Sequence, residues 1–330
     1  MGVHLRALVT GVAGFAGSHL AELLTSRGVD VYGLVFPGSS LENLDGIRRD
    51  PLRPGRLRLV ESDIVHGESL AEIVQETHPD QVYHLAAASS VRRSLEDPCQ
   101  TFRVNVLGTR NLLEAIRRAG ITPRILVVSS AEAYGESANL PRPLCEEDPL
   151  LPVSPYGASK AAAELVAWRY WSQHGLHVIR VRPFPHSGPR HDPQFAFADW
   201  ARQLAGAEAG RQPARLQVGS LDVRRDISDV RDVVVAYVLT AERGEPGAVY
   251  NVCSGRVYSL GEVLEALIGL TGLNVAIVRE RERLRPYDIK VLAGAVQGLY
   301  SCTGWEATIP LPRTLGDLLF YWRARLAAPP

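Results

Sequence analysis

The chain has 330 residues, enough to bury a substantial core in two domains or in one elaborated domain. Its 36 basic and 36 acidic side chains balance, which excludes a net attraction to nucleic acid or to an anionic membrane. The four cysteines, Cys99, Cys145, Cys253 and Cys302, form no C-x-x-C pair, so neither a zinc site nor a disulfide framework is expected. No apolar run is long enough to span a bilayer, and the N-terminus leads directly into a strand-like segment. We therefore expect a cytoplasmic protein without a metal site.

The first half of the chain alternates short apolar segments with helical patterns. The intervening helical patterns include residues 15–28, "SLAEIVQETH" and "VNVLGTRNLLEAIRRAG". Strands separated by helices of this length indicate an α/β fold with a Rossmann-type, doubly wound parallel sheet. The strand-like segments are residues 6–10, 29–36, 56–62, 81–87 and 124–130.

The second half begins with a long helix, predicted from about Pro155 to about His174, and a strand in "HVIRVRP". Beyond residue 190 the pattern is mixed. We therefore predict a Rossmann domain over residues 1–183, with returning segments near 225–255, and a smaller lobe made mainly of residues 184–330. Helices are predicted in "FAFADWARQLAGAEAG", in "DVRDVVVAYVLTAER", capped by Ser228 or Asp229, and in "SLGEVLEALIGLTG", with short strands in "AVYNVCSG" and "NVAIVRE".

A glycine-bearing turn, "TGVAGFAG" (10–17), joins the first predicted strand to the first helix. Gly11, Gly14 and Gly17 permit a tight turn, let the backbone approach a pyrophosphate and bring helix against strand. The helix N-terminus then offers free N–H groups and a partial positive charge to phosphates. Glycine clusters also make ordinary turns, but this position in a βαβ unit favours dinucleotide binding.

The choice of dinucleotide depends on the end of the second strand. Enzymes that prefer NAD usually place Asp or Glu there for the ribose 2′-OH, whereas this chain has Phe36. No arginine is adjacent for a 2′-phosphate, the nearest being Arg48 and Arg49. The pattern favours NADP(H), with NAD(H) open. Asp63, after the third strand, is placed for the adenine amino group or is a plain turn residue.

Lysine is rare in this chain, where Lys160 and Lys290 are the only two. Lys160 lies one helical turn after Tyr156, so the two side chains share one helix face. An ammonium beside a phenol favours the phenolate and lowers its pKa, which would make Tyr156 a proton shuttle. Ser130 closes the fifth strand with a hydroxyl. The alternative is a solvent-facing polar pair.

These motifs resemble those of extended short-chain dehydrogenases/reductases that act on nucleotide sugars, and the likeness covers nearly the whole chain. The C-terminal run from "RRDISDVRD" (224–232) to "TGWEATIPL" is similar to GDP-4-keto-6-deoxy-D-mannose reductases, relatives of GDP-mannose 4,6-dehydratases. The other motifs are "TGVAGFAG", "HLAAASSV" (84–91), "VNVLGT" (104–109), "SSAEAYG" (129–135), "SPYGASK" (154–160) and "RPFPHSGP" (182–189).

The resemblance implies roles for the catalytic candidates. Tyr156 would exchange a proton with a sugar oxygen that Ser130 also bonds, and Lys160 would tune Tyr156 and hold the nicotinamide ribose. Glu132 lies where dehydratases keep the glutamate that eliminates water; reductases often keep it too, and a solvated loop carboxylate is an equal alternative. The implied cofactor contacts are Gly11, Gly14, Phe15, Ala16, Gly17, Asp63, Ile64, Leu85, Ala86, Ala87, Tyr156, Lys160 and Pro183.

The resemblance also implies substrate contacts. Arg225 and Arg285 match arginines that hold the diphosphate, and an arginine fork suits phosphate oxygens. Ser89, Ser90 and His186 are candidate hexose contacts, although each could be a satisfied loop residue. Two departures affect the substrate side: Pro185 replaces an asparagine that bonds the nucleotide sugar, and "GPRHD" (188–192) replaces the usual glycine-glutamine after Gly-Pro.

Three hypotheses follow. The first is NAD(P)H-dependent reduction of the C4 ketone of a GDP-4-keto-6-deoxyhexose. The second is a nucleotide-sugar 4,6-dehydratase or epimerase with tightly bound NAD(P), and the third is a non-catalytic NAD(P)-binding regulator. Helices around 101–119 and 155–174 match those that form a four-helix dimer interface in relatives, so a homodimer is expected.

Overall fold

A computed structural model describes residues 5–50, 52–283 and 288–327. The helices are α1 Phe15–Ser26, α2 Asp45–Arg48, α3 Gly67–Thr77, α4 Val91–Glu96, α5 Pro98–Phe102, α6 Gly108–Ala119, α7 Pro155–His174, α8 Ala196–Glu208, α9 Val230–Arg243, α10 Leu260–Gly269, α11 Gln297–Thr303 and α12 Leu311–Ala327. The strands are β1 Arg6–Thr10, β2 Asp30–Val35, β3 Leu57–Glu61, β4 Gln81–His84, β5 Arg124–Val128, β6 Val178–Pro183, β7 His186–Ser187, β8 Arg215–Val218, β9 Arg224–Asp226, β10 Ser228–Asp229, β11 Val249–Val252, β12 Val257–Ser259, β13 Ala276–Arg279 and β14 Val291–Leu292.

The main sheet has seven parallel strands in the order β11-β6-β5-β4-β1-β2-β3. The predicted doubly wound α/β fold is therefore confirmed. Strand order reverses between β1 and β4, and in such sheets ligands bind beyond the carboxyl ends of the strands at that point. The turn after β1 and the loop after β4 leave the sheet there. The edge strand β11 comes from the second half of the chain.

Both faces of this sheet are buried, which explains the apolar strands. Along β1, Ala7 and Val9 join the core formed with α1 and α9, whereas Leu8 joins the core formed with α3 and α6. This alternation follows from the period of two in a strand. The strand is apolar throughout because helices cover the sheet on each side.

The second lobe packs around its own core. Helices α8, α10 and α12 enclose a cluster that includes Trp200, Leu264 and Leu318. Two small sheets, β12-β9-β14 and β13-β8, lie beside it. Helix α12 was not predicted, because its apolar positions are interrupted by Gly316 and by charged residues. Within the described ranges, no helix combines the length and apolarity needed to cross a bilayer.

Two of the predicted elements that differ in extent lie at the site. The predicted strand 81–87 ends at His84, because the next residues turn away and the Ala86 N–H donates to Thr10 Oγ1 at 3.1 Å. The helix predicted over 104–120 begins with a π-helical turn, Arg103–Leu107, before α6. Asn105 in that turn donates to Ser159 Oγ at 2.8 Å and accepts from the Ala88 N–H at 2.8 Å. The turn thereby ties the loop after β4 to α7.

Candidate active site

The glycines of the turn after β1 allow close backbone contacts that a Cβ atom would prevent. Gly11 has φ +71°, and a Cβ there would lie 2.9 Å from the Ala86 backbone. A Cβ on Gly17 would lie 2.2 Å from the Gly11 carbonyl oxygen. The turn after β1 therefore touches the loop after β4, and α1 approaches the turn closely.

The N-terminus of α1 fits a dinucleotide pyrophosphate. Gly14 is its N-cap, no side chain caps it, and its first turn holds no acidic residue. Free N–H groups and the helix dipole therefore remain available for an anion. The backbone here therefore fits the phosphate portion of NAD(P), while the cofactor contacts of Phe15 and Ala16, which follow directly, stay predictions.

The loop after β4 forms the second wall of this cleft. His84 lies between two hydroxyls, with Nδ1 2.8 Å from Thr10 Oγ1 and Nε2 3.0 Å from Thr109 Oγ1. Burial, and secondarily the charge of Lys160, lowers the pKa of His84 to about 3, so the ring is neutral. This bridge fixes the half-buried residues 85–87, which were predicted to lie beside the cofactor ribose.

The far end of the cleft holds the remaining cofactor candidates. Phe36, after β2, is 62% exposed, and no acidic side chain takes the predicted NAD-type position. Asp63 accepts from the Val65 N–H at 3.1 Å and so makes a turn, while Ile64 is buried beside Gly108. Their adenine contacts stay predictions. Arg48 and Arg49 both reach Asp45, at 3.8 and 3.0 Å.

The Ser-Tyr-Lys trio comes together at the start of α7. Ser154 caps this helix by accepting from the Gly157 N–H at 3.1 Å, which places Tyr156 and Lys160 in its first two turns. Both side chains are buried, and the Ser130 hydroxyl hydrogen-bonds Tyr156. Lys160 Nζ donates to the Val128 carbonyl oxygen at 2.6 Å. The alternative of a solvent-facing polar pair is thus excluded.

The pKa of Tyr156 differs from the sequence-based expectation. Burial raises the pKa of Tyr156 to about 12, the hydrogen bond with Ser130 partly offsets this, and the charge of Glu132 adds to it. The expected lowering by Lys160 is wrong for this structure, because burial dominates and the ammonium is held by Val128. Burial also lowers the pKa of Lys160 to about 8, against the opposing charge of Glu164. At pH 7 Tyr156 is therefore a neutral proton donor beside a charged lysine.

Glu132 lies next to this trio. It is half-buried in a 3₁₀ turn, Ala131–Ala133, and its N–H donates to Ser130 Oγ at 3.2 Å. A Cβ on Gly157 would lie 2.5 Å from the Glu132 carbonyl oxygen, so the two backbones are in close contact. The effect of its charge on Tyr156 places the carboxylate within electrostatic reach of the phenol.

The predicted substrate residues are only partly brought together. His186 Nδ1 donates to the Phe184 carbonyl oxygen at 2.9 Å, and its ring stacks on Phe15 with centroids 5.7 Å apart. Arg225 is buried in β9, where it reaches Asp288 at 2.6 Å. Ser89 is exposed after β4. Pro183 is buried at the end of β6, and the Pro185 carbonyl oxygen accepts from the Ser228 N–H. Arg285 lies outside the described residues.

One charged pair beside the site was missed. Glu164 and Arg182 are both buried and their closest atoms are 2.9 Å apart. Glu164 lies one turn after Lys160, so the spacing 156, 160, 164 could have predicted it on the same face of α7. Arg182 also donates to the Tyr134 hydroxyl at 2.9 Å, which satisfies the buried guanidinium. Among the described residues, no group of histidines, cysteines and carboxylates could hold a metal ion.

The sheet order, the glycine-bearing turn and the buried Ser-Tyr-Lys trio define a short-chain dehydrogenase/reductase of the extended type. A family model described as GDP-mannose 4,6 dehydratase matches residues 8–317. The chain belongs to this family.

Similar proteins support the assignment. The GDP-6-deoxy-D-mannose reductase of Pseudomonas aeruginosa is 36% identical over 321 residues, covering 97% of this chain and 98% of its own. The structure of RMD from Pseudomonas aeruginosa complexed with NADPH superposes with a TM-score of 0.82 at 34% identity, covering 97% and 99% of the two chains. The UDP-glucose 4-epimerase of Thermus thermophilus, in complex with NAD, gives 0.83 at 30% identity, covering 97% and 99%.

Proposed function

We propose that this protein is an NAD(P)H-dependent reductase of a nucleotide sugar, converting the C4 ketone of a GDP-4-keto-6-deoxyhexose to a hydroxyl and giving a product of the GDP-rhamnose type. The observation that carries this proposal is the hydrogen-bonded Ser130–Tyr156 pair, in which Tyr156 is neutral at pH 7. Reduction of a ketone needs a proton donor of this kind. The 36% identity to a reductase over nearly the whole chain supports it.

The residues divide the work along the cleft. The turn from Gly11 to Gly17 would hold the pyrophosphate, and Lys160 the nicotinamide ribose. Bound NAD(P)H supplies the hydride. Ser130 and Tyr156 would both bond the C4 oxygen, so that Tyr156 gives its proton to the oxygen as charge develops there. The charged Lys160, held by the Val128 carbonyl oxygen, would keep that ribose in place during the transfer.

NADP(H) is the preferred cofactor in this proposal. An acid at the end of β2 would bond the ribose 2′-OH of NAD and repel a 2′-phosphate, and Phe36 does neither. Relatives have been solved with NADPH and with NAD, so NAD(H) stays the alternative.

Glu132 favours a second candidate function. A carboxylate within electrostatic reach of Tyr156 suits a 4,6-dehydratase, in which a base removes a proton during elimination of water. A dehydratase or epimerase would regenerate its bound NAD(P) in each turnover. The family contains dehydratases as well as the reductase, so the two activities need a direct test.

The test supplies GDP-4-keto-6-deoxy-mannose and NADPH and follows the loss of reduced-cofactor absorbance. The proposal predicts one NADPH oxidised per ketone reduced, and a rate at least ~100-fold lower in Tyr156→Phe. A Tyr300→Phe variant is the matched control, because that tyrosine is 45% exposed on α11. Turnover of GDP-mannose without added reductant would instead favour the dehydratase. No oxidation of NADPH, or of NADH supplied in its place, would reject the reductase.

We also propose a homodimer formed by the helices around 101–119 and 155–174. Leu165 and Trp168 of α7 are 66% and 45% exposed, and Phe102 and Leu107 are 39% and 41% exposed. Large apolar side chains exposed on neighbouring helices suit a helix-to-helix interface.

A further inference from the structure

Residues 186–192, "HSGPRHD", form a loop that we call the bridging loop, and it lies against α1. His19 of α1 donates from Nε2 to the Pro189 carbonyl oxygen at 2.9 Å. One turn further along α1, Glu22 accepts from Arg190 Nη2 at 2.6 Å. Two polar contacts on successive turns therefore attach the loop to the helix.

Ring stacking adds a third contact, at the glycine-bearing turn itself. Phe15, the first residue of α1, stacks on His191 with centroids 4.3 Å apart and on His186 at 5.7 Å, each with an interplanar angle of 11°. His191 also stacks on Phe195 at 4.9 Å. Phe15 thus links the predicted pyrophosphate turn to the bridging loop by direct contact.

The bridging loop also continues into the proposed substrate side. Its first residues form β7, which pairs with β10, Ser228–Asp229, three residues after Arg225. Its last residues lead into α8 of the second lobe. One short segment therefore contacts the dinucleotide side through α1 and the substrate side through β10.

Arg190 adopts a backbone conformation that surrounding contacts must stabilise. Its φ is +70°, and among the described residues other than glycine only His78 shares a positive φ. Side-chain-bearing residues rarely adopt this region without compensation. Here the ion pair with Glu22 provides the compensation. The Arg190 side chain in this pair is only 18% exposed. A glycine at this position would adopt the same conformation freely but could not form the pair.

We propose that Arg190 and Glu22 are positioning residues which couple the two ligand sites, so that a bound dinucleotide strengthens nucleotide-sugar binding and the reverse. This inference rests on the proposed function, since it assigns one ligand to each side of the loop. Ordering α1 with the cofactor orders the bridging loop through the ion pair, and the second ligand then binds a loop that is already fixed. Linkage requires the same factor in both directions.

The experiment measures NADPH binding calorimetrically, with and without saturating GDP, and GDP binding with and without saturating NADPH. Wild-type protein is expected to show a coupling factor of at least ~5 in both directions, within the usual range for coupled sites. In Arg190→Gly the factor is expected to fall below ~2. Glycine accepts φ +70° without strain, so this variant should fold, and its melting temperature checks that.

Three further variants make the result specific. Glu22→Gln removes the carboxylate charge, which Arg53 also contacts at 3.2 Å, and should also abolish coupling. Arg190→Lys keeps the charge of the other partner and the Arg53 contact, and should retain part of the coupling. Arg323→Ala breaks an ion pair with Glu208, also 2.6 Å long, in the second lobe and should leave coupling at the wild-type value.

The outcomes separate the two proposals. Wild-type coupling in both Arg190→Gly and Glu22→Gln, even with weaker binding of each ligand alone, would assign the ion pair a structural role only and overturn the inference. Wild-type protein that binds both ligands without coupling would also overturn it, while leaving the proposed function standing. Wild-type protein that binds neither NADPH nor NADH would reject both.

Discussion

Lys160 and Val128 are joined by a hydrogen bond of 2.6 Å from the lysine Nζ to the carbonyl oxygen at the end of β5. This bond holds the ammonium between the strand that precedes Ser130 and the helix that carries Tyr156. A buried ammonium loses hydration, which is why the pKa of Lys160 falls to about 8. The charge of the site therefore changes within an accessible pH range.

The pH dependence of reduction follows from this pKa. We expect kcat/KM to be level from pH 6 to about 8 and to fall roughly tenfold per pH unit above it, as Lys160 loses its proton. Tyr156, with a pKa of about 12, stays neutral throughout this range. Steady-state rates of NADPH oxidation, measured between pH 6 and 10, test for this alkaline decrease in kcat/KM. A rate that stays level to pH 10 would contradict the assigned role of Lys160.

One crowded glycine and one open glycine test the predicted role of the turn after β1 in pyrophosphate binding. Gly17→Ala would place a Cβ 2.2 Å from the Gly11 carbonyl oxygen, so the turn must move and NADPH affinity should fall at least ~10-fold. Gly46→Ala in α2 meets no atom within 4 Å and should leave affinity unchanged while stabilising the chain by about 0.5–1 kcal/mol. Calorimetric titration and thermal denaturation measure both. Equal NADPH affinities in the two variants would argue against the turn as the phosphate site.

Buried neutral histidines predict acid sensitivity. Burial lowers the pKa of His19 to about 4, with Arg190 adding to the effect, and that of His191 to about 3, with His186 adding to it. Below pH 6.5 the unfolded chain binds protons that the folded chain does not. The free energy of unfolding therefore decreases as the pH is lowered. At pH 5 each such histidine should cost on the order of 2 kcal/mol.

The melting temperature between pH 7 and 5 tests this. His191→Gln, which cannot titrate, should show a shallower fall than wild-type protein, whatever its stability at pH 7. His66→Gln, which changes an exposed histidine, should follow the wild-type slope. Parallel slopes for all three proteins would show that His191 does not contribute.

The proposed dimer is tested by charge substitution on α7. Leu165→Arg should convert the dimer to a monomer, because an arginine in an apolar interface loses hydration without a partner. Phe320→Arg is the control. Phe320 is 68% exposed, close to the 66% of Leu165, but it lies on α12 of the second lobe. Light scattering coupled to size-exclusion chromatography gives the masses. A monomeric wild-type protein, or two variants that behave alike, would contradict this interface.

Capping residues and residue spacing predicted the parts of the site that lie within one element or one turn. Helix α7 matches its predicted bounds, because Ser154 caps one end and Gly175, at φ +67°, ends the other. The turn containing Gly11 and the face shared by Tyr156 and Lys160 were likewise readable from spacing alone.

Long-range relationships were not predictable from spacing. Arg190 and Glu22 are 168 residues apart in the chain, so no local pattern links them. The pKa of Tyr156 was expected to fall, but it rises because its surroundings come from several distant segments that exclude water. Sequence spacing reports neighbours within one element, whereas burial depends on the assembled fold.

Strand β11 has a consequence for how the molecule can be made and divided. This edge strand, Val249–Val252, pairs along β6, with Val249 opposite Arg180, although the second lobe's helix α8 separates the two in sequence. On the ribosome, the sheet therefore stays incomplete until residues beyond 252 have emerged. A fragment cut near residue 183 would expose the flank of β6 as an unpaired, aggregation-prone edge. The nucleotide-binding half is thus not a detachable module of this chain.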